Sequence, residues 1–102
     1  TCLRPPSYLS HAESVYIELE NDIDLTSFEN ALNNGKGVIY SSSDYHTPID
    51  SINQDAVYVS RLRRDFKKKN AFNLWIVADN LLKGAALNSV QIGEALIKKK
   101  MV

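Results

Sequence analysis

The chain has 102 residues, 44% of them hydrophobic and 24% charged, and its 12 basic and 12 acidic side chains give a formal net charge of zero. That length supports one domain with its own core, the composition excludes a disordered or fibrous protein, and the absence of net charge removes any global attraction to nucleic acid or an anionic membrane. The single cysteine, Cys2, excludes an internal disulfide framework and fits a reducing cytosol, while no apolar run approaches the ~20 residues of a membrane span and no charged-then-apolar leader is seen. A soluble cytoplasmic protein is therefore expected. The chain opens at Thr1 without a methionine, on residues that read as the middle of a folded element, which suggests a piece of something larger.

Residues 1–4 read as a short strand that Pro5-Pro6 ends in an irregular connection. From Ala12 to Glu20, Val15, Ile17 and Leu19 alternate with polar neighbours, the period of a strand with one buried face. Asp24 or Thr26 can cap a helix running to about Asn33, with Leu25, Phe28, Ala31 and Leu32 on one stripe, ended by Asn34-Gly35-Lys36-Gly37. Val38 to Tyr40 predicts a short strand. A loop of about 15 residues follows, long enough to suggest a binding or interface segment.

Alternation from Ala56 to Arg63 places Val57 and Val59, with Arg61 and Arg63, on one face of a strand and Tyr58, Ser60 and Leu62 on the other. A base-rich turn through Lys67-Lys68-Lys69 leads to an apolar strand, Phe72 to Ala78, fit for burial. The last helix, about Leu81 to Lys99, sets Leu82, Ala86, Val90, Gly93 and Ile97 on one face, and its terminal lysines complement the helix dipole. The order β, β, α, β, β, β, α predicts an α+β domain: a mostly antiparallel or mixed sheet covered by two helices.

Arg4 and His11 suit an anionic substrate undergoing acid/base chemistry, since guanidinium grips a carboxylate or phosphate in two places and imidazole titrates near neutrality. Such a pair also arises by chance. Asn80 stands at a strand-to-helix junction, where its amide can donate and accept as recognition of another amide requires, and Gly84 allows close backbone approach. Asn88 and Gln91 share a helical face that could line a cleft or face solvent; Asp79 reads as a helix cap and Lys83 as a surface lysine. Cys2 is read as packing rather than nucleophile, for it lies on a strand with no helix N-terminus to lower its pKa. His46 is read as a loop residue with no second ligand near it, so no metal is expected. No GxGxxG or Walker sequence occurs, so the chain has no dinucleotide or P-loop cradle of its own.

Three segments resemble the C-terminal part of the aspartate-semialdehyde dehydrogenase family. The most specific runs from Leu74 to Glu94: an apolar strand, Ala78-Asp79-Asn80, Lys83-Gly84-Ala85-Ala86, then Asn88-x-Val90-Gln91-Ile92. The others are Thr47-Pro48-x-Asp50 followed by Val57 to Asp65, and Thr1-Cys2-Leu3-Arg4-x-Pro6 followed by Ser10-His11-Ala12-Glu13. The resemblance implies an incomplete C-terminal domain of the glyceraldehyde-3-phosphate dehydrogenase-like class over residues 1–102, serving catalysis and dimerisation, with the N-terminal nucleotide-binding domain absent. It implies reductive dephosphorylation of β-aspartyl phosphate to aspartate semialdehyde with NADPH and release of phosphate, on the route to lysine, threonine and methionine. The cysteine that forms the thioester is not in this chain. Arg4 would hold the substrate carboxylate, His11 would be the general acid/base, and Asn80 with Gly84 would approach the nicotinamide. A homodimer is implied, and the chain alone is expected neither to bind NADP nor to be active.

The family usually has Arg-x-Pro-Val and Gly-His-Ser, whereas here Ser7 replaces the valine and Ser10 and Ala12 flank His11. Two other readings accompany this one. The sibling N-acetyl-glutamyl-phosphate reductase shares the chemistry but carries the Ala-Asp-Asn-x-x-Lys-Gly-Ala-Ala pattern less well; a non-catalytic dimerisation module would pack the face of Tyr58, Ser60 and Leu62 on a twin.

Overall fold

The computed structural model describes residues 2–3 and 5–101, the first two in backbone only. Five strands, β1 (Cys2–Leu3), β2 (His11–Glu18), β3 (Val38–Ser41), β4 (Val57–Arg64) and β5 (Ala71–Ala78), form one mixed sheet in the order β1-β2-β5-β4-β3. Every neighbouring pair is antiparallel except β3 and β4, which run parallel. The α+β class and mixed sheet are as the pattern predicts; each expected strand is present, with the ends of β2 to β5 within a residue or two of the expected ones and the expected ends of β1 outside the described residues.

Helix α1 (Leu25–Asn33) covers one face of the sheet. Its start is set by Asp24, whose carboxylate accepts from the Ser27 backbone N–H at 2.7 Å, and its exit turns at Gly37, where φ is 77°. Phe28 meets the fully buried Phe72 edge-on at 4.9 Å, and Val15, Ile17, Val59, Leu62 and Leu74 complete the core around that contact. Tyr40 on β3 donates to Glu29 on α1 at 2.7 Å, fastening helix to sheet edge, and burial together with that bond pushes its hydroxyl pKa up to about 12.

Leu62 departs from the simple alternation read in β4. The register with β5 shifts between Ser60 and Arg63, and Arg61 takes a left-handed φ of 55°, so the extra residue turns Leu62 into the core beside Val59. The expected exposed face of Tyr58, Ser60 and Leu62 therefore does not exist as such: Leu62 is on the α1 side and Ser60 is buried. Arg64 then lies over the Phe72 ring at 5.1 Å and donates to Asp22 at 2.8 Å. The base-rich turn is a solvated one, closed by Asp65, which accepts from the Lys67 and Lys68 N–H groups at 2.8 and 2.9 Å.

The long connection after β3 folds over the other face of the sheet. A 3₁₀ turn (Pro48–Ser51) is closed by Thr47 and Asp50, the Trp75 indole donates to the His46 carbonyl at 2.8 Å, and the His46 ring lies 4.3 Å from that of Tyr58. This loop buries Ser51 completely and shelters the end of the sheet where Ala12 and Val77 sit with almost no exposure.

After β5 the chain forms a π-helical turn (Leu82–Ala86) that runs into α2 (Leu87–Lys98). Neither helix has a fully buried residue, but Leu25, Phe28 and Leu32 of α1 pack against the core, whereas Val90, Ile92 and Ile97 of α2 are all more than half exposed. Of the two helices expected to cover the sheet, α1 supplies the core contact. The wider π turn adds a residue to the helical repeat, which offsets Leu82 and Ala86 from the Val90, Gly93 and Ile97 stripe.

Candidate active site

His11 opens β2 directly opposite Ala78, the last residue of β5, so the antiparallel register brings the start of one strand to the strand-helix junction of the other. A cleft of about 360 Å³ lies there, lined by His11 and Asn80 together with Pro5, Pro6, Ser7, Tyr8 and Ser10. The imidazole and the amide, distant in sequence, thus face one space. The Asn80 side chain has no hydrogen-bond partner among the described residues, leaving a donor and an acceptor free for a ligand. The Nε2 of His11 lies 2.8 Å from Glu13 Oε1.

Two anchors set this geometry. Asp79, buried at 6% exposure, accepts from the backbone N–H groups of Asn53, Leu81 and Leu82 at 2.8, 2.9 and 3.3 Å. The Asn53 N–H, ahead of the two helical ones, holds its carboxyl below the usual carboxylate range despite burial. Asp79 therefore closes the turn that opens the π-helical segment, rather than capping α2 itself, and also ties the long loop to the junction carrying Asn80. Ser10 is the second anchor: its hydroxyl donates to the Ala78 carbonyl at 2.7 Å and touches the Ser51 hydroxyl. Its φ of 69° is a left-handed conformation that glycine adopts freely, which explains how a serine can stand before His11 only with such bonds to hold it.

The remaining candidates are placed as follows. Arg4 lies outside the described residues. Cys2 is on β1, as expected of a strand residue. Gly84 lies one turn beyond Asn80 and does not line the His11 cleft; a Cβ there would come 3.8 Å from the Asn80 Cβ, so the glycine keeps the surface beside that side chain open. Lys83 donates to Gln91 at 2.6 Å, and both line a separate hollow with Asn88 and Lys36. His46 packs on Tyr58, and no group of three or more His, Cys, Asp or Glu able to hold a metal occurs among the described residues. The residue pattern assigns no role to Ser51, and Ser10 and Glu13 enter it only as neighbours of His11 in the motif. For Glu13 a signal existed, since positions two apart on a strand share a face.

The sequence profile described as "Semialdehyde dehydrogenase, dimerisation domain" matches residues 1–83. The chain belongs to this family. Among curated semialdehyde dehydrogenases, the aspartate-semialdehyde dehydrogenase of Rickettsia typhi is 48% identical over 101 residues, and that of Bacillus subtilis is 44% identical over 107. These alignments take in 95% and 100% of the chain but only 30% and 31% of the relatives, so the chain spans about a third of their length. The crystal structure of aspartate semialdehyde dehydrogenase II from Vibrio cholerae superposes with a TM-score of 0.81 at 38% identity, covering 89% of this chain and 28% of that one.

Proposed function

We propose that this chain is the C-terminal catalytic and dimerisation domain of an NADP-dependent aspartate-semialdehyde dehydrogenase, the nucleotide-binding domain and the cysteine nucleophile being supplied by the rest of a longer polypeptide. The reaction is reductive dephosphorylation of β-aspartyl phosphate to aspartate semialdehyde, with release of phosphate, in the cytoplasmic synthesis of lysine, threonine and methionine. The observation that carries this reading is the convergence of His11 and Asn80 on one cleft. His11 moves the proton as the substrate carbonyl is attacked and released. Arg4 holds the substrate carboxylate by a two-point hydrogen bond, a role that rests on the resemblance around Pro6 and His11.

NADPH, when bound, supplies the hydride. The Asn80 amide, without a partner among the described residues, fits the carboxamide of a nicotinamide, and Gly84 beside it presents no Cβ to the approaching ring. The proposed longer polypeptide would hold the dinucleotide phosphates outside these 102 residues, which carry no Gly-rich phosphate cradle. A homodimer is supported by the description of the matching family as a dimerisation domain. No helix among the described residues is long and apolar enough to cross a membrane.

The test is NADP-dependent oxidation of aspartate semialdehyde in the presence of phosphate by the complete polypeptide. His11→Asn is expected to lower kcat by about 10² to 10⁴-fold, and Asn80→Ala to raise KM for NADP while KM for aspartate semialdehyde changes little. Full activity in His11→Asn, or activity from the 102-residue chain alone, overturns the reading.

A further inference from the structure

We propose that Glu13 is the positioning residue of His11: it holds the Nε2–H, so that Nδ1 is the ring nitrogen through which His11 exchanges its proton with the substrate. The inference rests on the acid/base reading of His11 above and names the atom that performs it. Both residues lie on β2, two apart, and so project from the same face of the sheet. Their backbone is fixed by continuous pairing, His11 opposite Ala78 and Glu13 opposite Ile76, which leaves little freedom for the two Cβ atoms to separate. The contact is 2.8 Å from Nε2 to Oε1, with the side chains 27% and 39% exposed, at the margin of the cleft rather than in the core.

Chemistry decides the direction of that bond. An ionised carboxylate can only accept, so Nε2 carries the hydrogen and neutral His11 presents an unprotonated Nδ1. Among the described residues Nδ1 has no partner. A histidine free to exchange tautomers would offer either nitrogen and two ring orientations to the substrate, whereas the Glu13 contact selects one of each. Glu13 touches His11 and acts through it.

The experiment is nitrogen-15 NMR of the His11 ring in the full chain, at a pH where the ring is neutral, in the wild type, Glu13→Ala and Glu13→Gln. The wild type should show a protonated, pyrrole-type Nε2 and a bare, pyridine-type Nδ1. Glu13→Ala should move both signals toward the average of two exchanging tautomers, and Glu13→Gln, whose amide oxygen still accepts, should restore the wild-type pattern. In the complete enzyme Glu13→Ala should lower kcat about tenfold to a hundredfold with KM within about twofold, and Glu13→Gln should recover most of the loss. A ring insensitive to Glu13, or a protonated Nδ1 in the wild type, overturns this inference and leaves the proposed function standing. A fully active His11→Asn enzyme removes the acid/base reading, and this inference with it, whatever the ring signals show.

Discussion

The two helices of this domain carry similar apolar stripes and are covered to different extents. Helix α1 is short, starts on a side-chain cap and packs Phe28 against the buried Phe72, whereas the longer α2 leaves Val90 and Ile97 at 59% and 66% exposure. An amphipathic pattern reports that a helix has a face to cover; it does not report which surface covers it. For α1 the cover is the sheet. For α2 the cover is partial: Asn88 and Gln91 line a hollow with Lys36, Lys83 donates to Gln91, and the turn that leads toward the helix is held by Asp79 through the Leu81 and Leu82 N–H groups.

This contrast can be broken or sharpened by substitution. Phe72→Ala removes the ring on which α1, Arg64 and the strands converge, and should cost about 3 to 5 kcal/mol in denaturant unfolding of the chain. Phe28→Ala, on the helix side of the same contact, should cost about 3 kcal/mol. Asp79→Ala should lower Tm by about 5 °C. It should also change the acid limb of the stability curve. The folded pKa of Asp79 is lowered, so its contribution is present above the unfolded carboxylate value of about 3.9 and fades as pH falls through the folded value; the variant should show a flatter decline below about pH 4.

Tyr40→Phe deletes the bond from β3 to α1 and should cost about 1 kcal/mol near neutrality. With its folded pKa raised, Tyr40 stabilises fully below its unfolded value of about 10 and loses that contribution as pH rises toward about 12, so wild type and variant should converge in that window. At the small end, Val90→Ala and Ile97→Ala on α2 should each change the stability of this chain by less than about 0.5 kcal/mol. A loss of several kcal/mol at either position would show that α2 finds a partner surface in solution and would erase the distinction between the helices.

The local pattern was legible wherever a residue's environment follows from its own segment. The alternation of Val15 and Ile17, the Asp24 cap, the glycine turn before β3 and the apolar run of β5 are all found where they were read. Leu62 departs from the alternation because one left-handed residue, Arg61, reverses strand parity, and nothing about an arginine announces φ of 55°. A single helical period from Leu82 to Ile97 does not hold, because the π turn breaks it. At the site, His11 and Asn80 were identifiable by residue type and by their surrounding motifs, while the parts played by Ser10, Ser51 and the loop at Asn53 depend on contacts across 26 to 68 positions of chain.

By itself the sequence determined the succession of strands and helices, the family, and the chemical kinds of side chain on offer, because periodicity, caps and motifs are properties of neighbouring residues. Only the tertiary structure decided that an imidazole and an amide share a cleft, that Glu13 takes one nitrogen of that imidazole, and that α1 packs on the core while the apolar side chains of α2 stay largely exposed. Those outcomes depend on strand register and on a single bulge, where a shift of one residue exchanges the faces of the sheet.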